Sequence, residues 1–275
     1  MPEYPCSLGV ALSGGAAHGI AHVGVLKVLE RERIPIKMIA ASSAGSIAGA
    51  LFAAGLPAEE LTLLVRALRW KDVYRFSPGR MGLLSSEPLA ALLGRTLPVK
   101  RFERLKIAMK VIATDLASGK AIVISKGDLI PAICASCALP GLLPPSQVSG
   151  KMLVDGGVTS GVPTQVLRRA GVDVVMASDV NYKVTSFAAP GNLFEVIVRS
   201  VYLMSRQAVS GYIEEADIVV APEIGDISWQ DLERADELMS QGQAAMEAQI
   251  PALKQLLSSR RLLRRVAGQW NRGRK

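Results

Sequence analysis

A chain of 275 residues, 49% of them apolar, suits one large α/β domain or two small ones with a sizeable buried core. The simplest division is a single domain over residues 1–257 and a basic tail over residues 258–275. The formal charge of +8 argues against a nucleic-acid partner once it is located: Arg260, Arg261, Arg264, Arg265, Arg272, Arg274 and Lys275 carry seven of the charges, and the rest of the chain is nearly neutral.

In chain order, residues 8–12 read as a strand, residues 19–33 as a helix and residues 36–41 as a second strand. Residues 45–54 read as a helix of small residues and residues 57–68 as an amphipathic one. The runs 107–113, 121–125, 172–179 and 218–221 have the look of buried strands. This alternation predicts a mostly parallel sheet with helices on both faces. Residues 69–88 and 183–192, mixed in polarity, read as mobile surface segments, and residues 193–257 as largely helical around one strand. In the tail, Leu262, Leu263, Val266 and Trp270 fall at helical spacing among the arginines. From Arg260 to Lys275 the chain is therefore either a basic amphipathic helix that attracts anionic lipid or a solvated terminus.

Two stretches of about 21 residues, 38–58 and 129–150, carry no charge. The first is rich in Ser, Gly and Ala, and the second holds Pro131, Pro140, Pro144 and Pro145, so both read as buried loops and short core helices rather than membrane spans. Cys6, Cys134 and Cys137 cannot all pair, and no secretory leader is evident; the expectation is a cytoplasmic, reduced protein. With the basic tail, that expectation extends to peripheral contact at the inner membrane surface.

Ligands of an open parallel sheet bind beyond the carboxyl ends of its strands. "IAASSAGSIAG" is a strand, two serines and small residues entering a helix, as a nucleophile elbow requires. Ser43 fits best, with Gly45 at the later small position and Ala41 at the earlier one; Ser42 and Ser46 fit less well, and a helix N-cap is the plainer use of such a serine. "SGGAAHG" follows the first strand. A dinucleotide site there lacks its acidic partner at the end of the second strand, and a metal site on His18 and His22 lacks a third ligand. An oxyanion hole made by the amides of Gly14, Gly15 and Ala16 remains, beside a tight turn without a ligand. A serine nucleophile needs a base. Both histidines precede Ser43, so a carboxylate is attractive, and Asp155 in "LVDGG" is the favoured one; an Asx-turn explains the same residues, and Asp115 and Asp179 are rivals.

Together these stretches resemble the patatin-like phospholipase family. "SGGAAHG" is similar to its glycine-rich loop, "ASSAG" to its G-x-S-x-G elbow and "DGG" to its Asp-Gly-Gly/Ala motif, in the family's order, and "ATDLASGKAIVIS" with the following stretch to "MLVDGG" is similar to bacterial members. The resemblance runs over residues 10–221. It implies a three-layer α/β/α fold and a Ser43–Asp155 dyad without catalytic histidine, metal or cofactor. It also implies hydrolysis of lipid acyl esters, so the expected partner is a lipid or ester substrate. Two departures stand out. Ala41 replaces the first elbow glycine, which leaves a catalytically silent lipid-binding or regulatory protein that keeps the fold as the alternative. Ala16 replaces a loop glycine, and His18 stands where arginine is common, which suggests His18 as a head-group contact.

Overall fold

The computed structural model describes residues 6–183, 189–191, 195–204 and 215–272, excepting the side chains of residues 259–272. Strand β1 (Leu8–Leu12) is buried at every residue, as a strand covered on both faces must be. A 3-10 turn (Ala16–Ile20) leads into α1 (Ala21–Arg31), and the chain returns as β2 (Ile36–Ser42) into α2 (Ala44–Ala53). Next come α3 (Ala58–Ala67), α4 (Trp70–Val73), a hairpin of β3 (Arg75–Gly79) and β4 (Gly82–Ser85), and α5 (Glu87–Thr96). The middle of the chain gives β5 (Ala108–Asp115), β6 (Ala121–Ile124), α6 (Leu129–Ser136), β7 (Ser146–Val148) and β8 (Lys151–Asp155). It closes with α7 (Gly157–Ser160), α8 (Thr164–Arg169), β9 (Val174–Ser178), a helix α9 over residues 195–204, β10 (Ile218–Val220) and α10 (Ala235–Arg272).

The main sheet has the order β10-β9-β1-β2-β5-β8-β7, with β6 also on β5. Strands β10, β9, β1, β2 and β5 are parallel, as the alternation predicts, whereas β6, β7 and β8 add antiparallel pairings. One consequence positions the site. Strand β2 pairs with β5 up to Ser42–Ile112, and β8 pairs with it from Asp155–Ala113 onward. Strand β6 pairs with Val111–Thr114 and so takes the opposite edge. Strands β2 and β8 therefore lie end to end on one edge of β5, with their carboxyl ends facing each other.

Alternation along the strands divides the core. Leu8, Val10 and Leu12 join Ile39, Ala41 and Val111 under α1, α2, α3 and α10, while Ala11, Ala40, Val175 and Ala177 face the other way, toward Leu167 of α8. The charge-free stretches become β2, the buried helix α2, helix α6 and its following loop. Among the described residues no helix is long and apolar enough to cross a membrane.

One expectation is corrected. Residues 69–88 are an ordered helix and hairpin, not a loose segment: Leu83 N and Leu84 N donate to Leu142 O at 2.8 and 2.9 Å. Every residue of β3 is exposed, so the strand leaves no alternating pattern to read. Residues 183–192 lie largely outside the described residues. The backbone of α10 runs unbroken through residue 258, where the tail was expected to begin.

Candidate active site

Ser43 sits between β2 and α2 with φ 49° and ψ −129°, a left-handed conformation costly for any residue with a Cβ. The surroundings hold it there. Ser136 Oγ of α6 accepts from Ser43 N at 2.8 Å while donating to Ile112 O at 2.6 Å, and Ser46 donates to Ser43 O through both N and Oγ. Gly45 is obligatory, since a Cβ there would stand 2.5 Å from Ser13 O and 2.8 Å from Leu12 O. The Ala41 methyl meets no such obstacle: it is fully buried in the main core, with Leu12 and Val111 as its strand partners.

Ser43 Oγ donates to Asp155 Oδ2 at 2.6 Å. The carboxylate is 5% exposed, and its other oxygen accepts from Gly157 N at 2.7 Å. Burial pushes the Asp155 carboxyl up to about 6, against the pull of these two hydrogen bonds. Thr114 Oγ1 donates to Asp155 O at 2.9 Å, fixing the end of β8 to β5. Gly156 lets the chain pass: a Cβ there would be 2.2 Å from Ile112 O.

The glycine loop faces the same space. Gly14 N donates to Gly161 O at 3.2 Å, whereas among the described residues the amides of Gly15 and Ala16 find no acceptor. Gly14 O accepts from Ser13 Oγ and from Asn181 Nδ2, both at 2.9 Å. In a trans peptide N–H and C=O point oppositely, so pinning Gly14 O aims Gly15 N–H away from Asn181. Ala16 has φ 49°, which a glycine would adopt without strain.

The two histidines serve this loop from behind. His22 is fully buried; its Nε2–H donates to Ser13 O and its Nδ1 accepts from Ser178 Oγ, both at 2.9 Å, and burial lowers its pKa to about 4. His18 is 3% exposed, with Nε2 2.8 Å from Ile227 O and Nδ1 3.0 Å from Asn181 Oδ1. Asn181 spends its Nδ2 on Gly14 O, so it is Oδ1 that faces His18 Nδ1. His18 also lines the cavity described below, with both ring nitrogens engaged by protein groups. The rival carboxylates are also engaged. Asp115 holds Ser118 and Lys151 at the far end of β5, which keeps its carboxyl below the usual range, and Asp179 Oδ1 accepts from Asn181 N.

Ser43, Asp155 and the glycine loop open on a cavity of about 860 Å³. Its walls are mostly apolar, with Leu51, Leu61, Leu64, Val73, Leu139 and Leu142 among them. The Cys137 thiol also lines it, but burial holds that thiol well above its ordinary range and therefore protonated. Sequence reading missed Ser136, Asn181, Thr114 and the cavity itself.

The family model described as patatin-like phospholipase matches residues 10–168. An uncharacterized NTE family protein of Mycobacterium tuberculosis is 32% identical over 175 residues, covering 62% of this chain and 48% of that protein. Lysophospholipase NTE1 of Pyricularia oryzae is 29% identical over 181 residues, covering 63% of this chain and 12% of that protein. The chain thus aligns with about half, or much less, of these relatives' length. The crystal structure of VipD from Legionella pneumophila shares the fold, with a TM-score of 0.60 at 14% identity, over 94% of this chain and 67% of that one.

Proposed function

The chain belongs to the patatin-like phospholipase family, and from that premise we propose that it is a serine acyl hydrolase that cleaves lipid acyl esters. One observation carries the reading: Ser43 Oγ donates to a buried carboxylate at 2.6 Å on the wall of a large apolar cavity. Asp155 takes the Ser43 proton as Oγ attacks the ester carbonyl. The electron pair displaced onto the carbonyl oxygen is held by the amides of Gly15 and Ala16, with Gly14 shaping the loop through its bond to Gly161. Collapse breaks the ester C–O bond, and the proton on Asp155 passes to the departing alkoxide. Asp155 then deprotonates a water that attacks the acyl-enzyme, releasing the fatty acid and restoring Ser43.

The apolar walls suit an acyl chain, and no histidine is needed in the cycle because both are committed elsewhere. The silent lipid-binding alternative rests on Ala41, whose methyl sits in the core rather than against the elbow, so no observation favours it. The test is labelling with a fluorophosphonate followed by peptide mapping. The reading requires the adduct on Ser43, its loss in Ser43→Ala, and turnover of lipid esters by the unsubstituted chain. A folded protein that takes no label and turns over no ester would overturn it.

A further inference from the structure

Six of the eleven exposed large apolar side chains among the described residues belong to two elements, the β3–β4 hairpin and α9. Phe76 is 73% exposed, Met81 58% and Leu83 41% on the hairpin; Val196, Leu203 and Met204 are exposed on α9. Single exposed apolar residues are ordinary, but a cluster of this kind marks a contact surface. Both elements belong to the rim of the cavity. Leu84 of the hairpin and Val198 and Val201 of α9 line it, and Phe76 pairs across the hairpin with Leu84, on the same face.

The hairpin is held firmly. Leu83 and Leu84 donate to Leu142 O, and Gly82 lies so close to Pro144 that a Cβ would stand 2.6 Å from its nitrogen. Ile197 of α9 lies over Gly141 of the same loop. The charges on the hairpin are of one sign. Between Asp72 and Glu87 the chain has no acid, while Arg75 and Arg80 flank the exposed apolar residues; Arg75 meets Glu87, and Arg80 has no ion pair among the described residues.

We infer that this hairpin docks the protein on an anionic bilayer, with Phe76 and Met81 entering the interface, Arg80 meeting lipid phosphate, and the cavity mouth facing the membrane. Amphipathic surfaces with basic residues beside aromatic and aliphatic ones bind such interfaces by apolar burial plus electrostatic attraction. The inference deepens the acyl-hydrolase reading, but binding is measurable in Ser43→Ala, so the two fail separately.

The experiment is sedimentation of the full chain with vesicles of phosphatidylcholine, with and without phosphatidylglycerol, for the Ser43→Ala protein alone and combined with Phe76→Ser and Met81→Ser, or with Arg80→Glu. The basic tail stays intact throughout, so differences belong to the hairpin. Expected is a fall of about tenfold or more in partitioning for the apolar pair, and a fall for Arg80→Glu confined to vesicles containing phosphatidylglycerol. In the catalytic background, hydrolysis of a soluble short ester stays unchanged while hydrolysis of vesicle lipid drops. The fluorescent substitution Phe76→Trp checks insertion through quenching by brominated lipid. Unchanged partitioning of folded variants, unquenched fluorescence from the indole in Phe76→Trp, or loss of self-association in place of vesicle binding would each overturn the inference.

Discussion

Ser43 and Asp155 are 112 residues apart in the chain yet meet at 2.6 Å, because β2 and β8 end against each other on one edge of β5. The parallel strand delivers the hydroxyl and the antiparallel strand the carboxylate. The reversal of β8 is what turns the two carboxyl ends toward each other along β5.

If Asp155 is the base, it must be ionised before Ser43 attacks. With its carboxyl pushed up to about 6, kcat/KM on a neutral short ester is expected to rise with pH through about 6 and then level. Asp155→Asn keeps the shape but cannot take the proton, and is expected to lose on the order of 10³ in rate. Rates measured across pH with folded protein check both; a profile flat through that region excludes Asp155 as base.

The same burial has a cost in stability, and His22 opposes it. Asp155 titrates higher in the folded chain than its ordinary 3.8, so its contribution is present at low pH and is lost as pH rises through about 6. His22 titrates lower than its ordinary 6.5, so its contribution is present above that value and is lost as pH falls through about 4. Each shift corresponds to about 3 kcal/mol. The two nearly cancel over the same window. Asp155→Asn should therefore gain stability with rising pH, and His22→Gln, which retains a donor for Ser13 O and an acceptor for Ser178, should lose it. Urea midpoints of both variants between pH about 4 and about 6.5 decide this; parallel curves for both would contradict it.

Behind the glycine loop, the proposed oxyanion hole, Asn181 holds Gly14 O and His18 holds Asn181. Asn181→Ala frees the Gly14 carbonyl and lets the Gly15 amide turn, so kcat should fall roughly 10- to 100-fold with KM little changed, as for a lost oxyanion donor. His18→Ala should fall less, through Asn181, and His18→Gln should recover part of the loss. Fluorophosphonate labelling rates of these variants, alongside their melting temperatures, separate positioning from unfolding. A loss of stability with unchanged labelling by the folded fraction would make both residues purely structural.

What the sequence disclosed follows the range of its signals. The elbow at Ser43 was legible because a left-handed turn between strand and helix forces small residues two positions either side, a local constraint. The parallel strands were legible from their unbroken apolar runs. Asp155 was favoured over two rival carboxylates by the apolar run before it and the glycines after it, and the family motif pointed the same way; its pairing with Ser43 stayed hidden, since that depends on the sense of β8, which three apolar residues do not reveal. Ser136 and Asn181 gave no signal at all: a serine inside an apolar helix and an asparagine after a strand acquire meaning only through contacts 93 and 167 residues away. The cavity was hidden for a different reason, because a leucine lining it carries the same helical spacing as one filling the core. The hydrogen bond of His18 to Ile227 O was equally invisible, because it comes from a loop 209 residues away.

Two alanines stand where glycine was expected, and the structure separates them. Ala16 is exposed with φ 49°, a conformation that costs a residue with a Cβ about 1 kcal/mol or more. Ala16→Gly removes that strain, and the extra freedom of the unfolded chain gives back about 0.5 kcal/mol. Ala16→Gly should therefore be slightly stabilising, with Ser43 labelled at least as fast. Ala41 is the opposite case. It is an ordinary strand residue with its methyl fully buried, so Ala41→Gly forfeits about 0.8 kcal/mol of burial and adds the cost of glycine in a strand, roughly 0.5–1 kcal/mol. It should lower the urea midpoint with no gain in activity. Opposite signs for two chemically identical substitutions are a demanding result. Equal shifts in both midpoints, or faster labelling in Ala41→Gly, would mean that the elbow methyl crowds the turn after all.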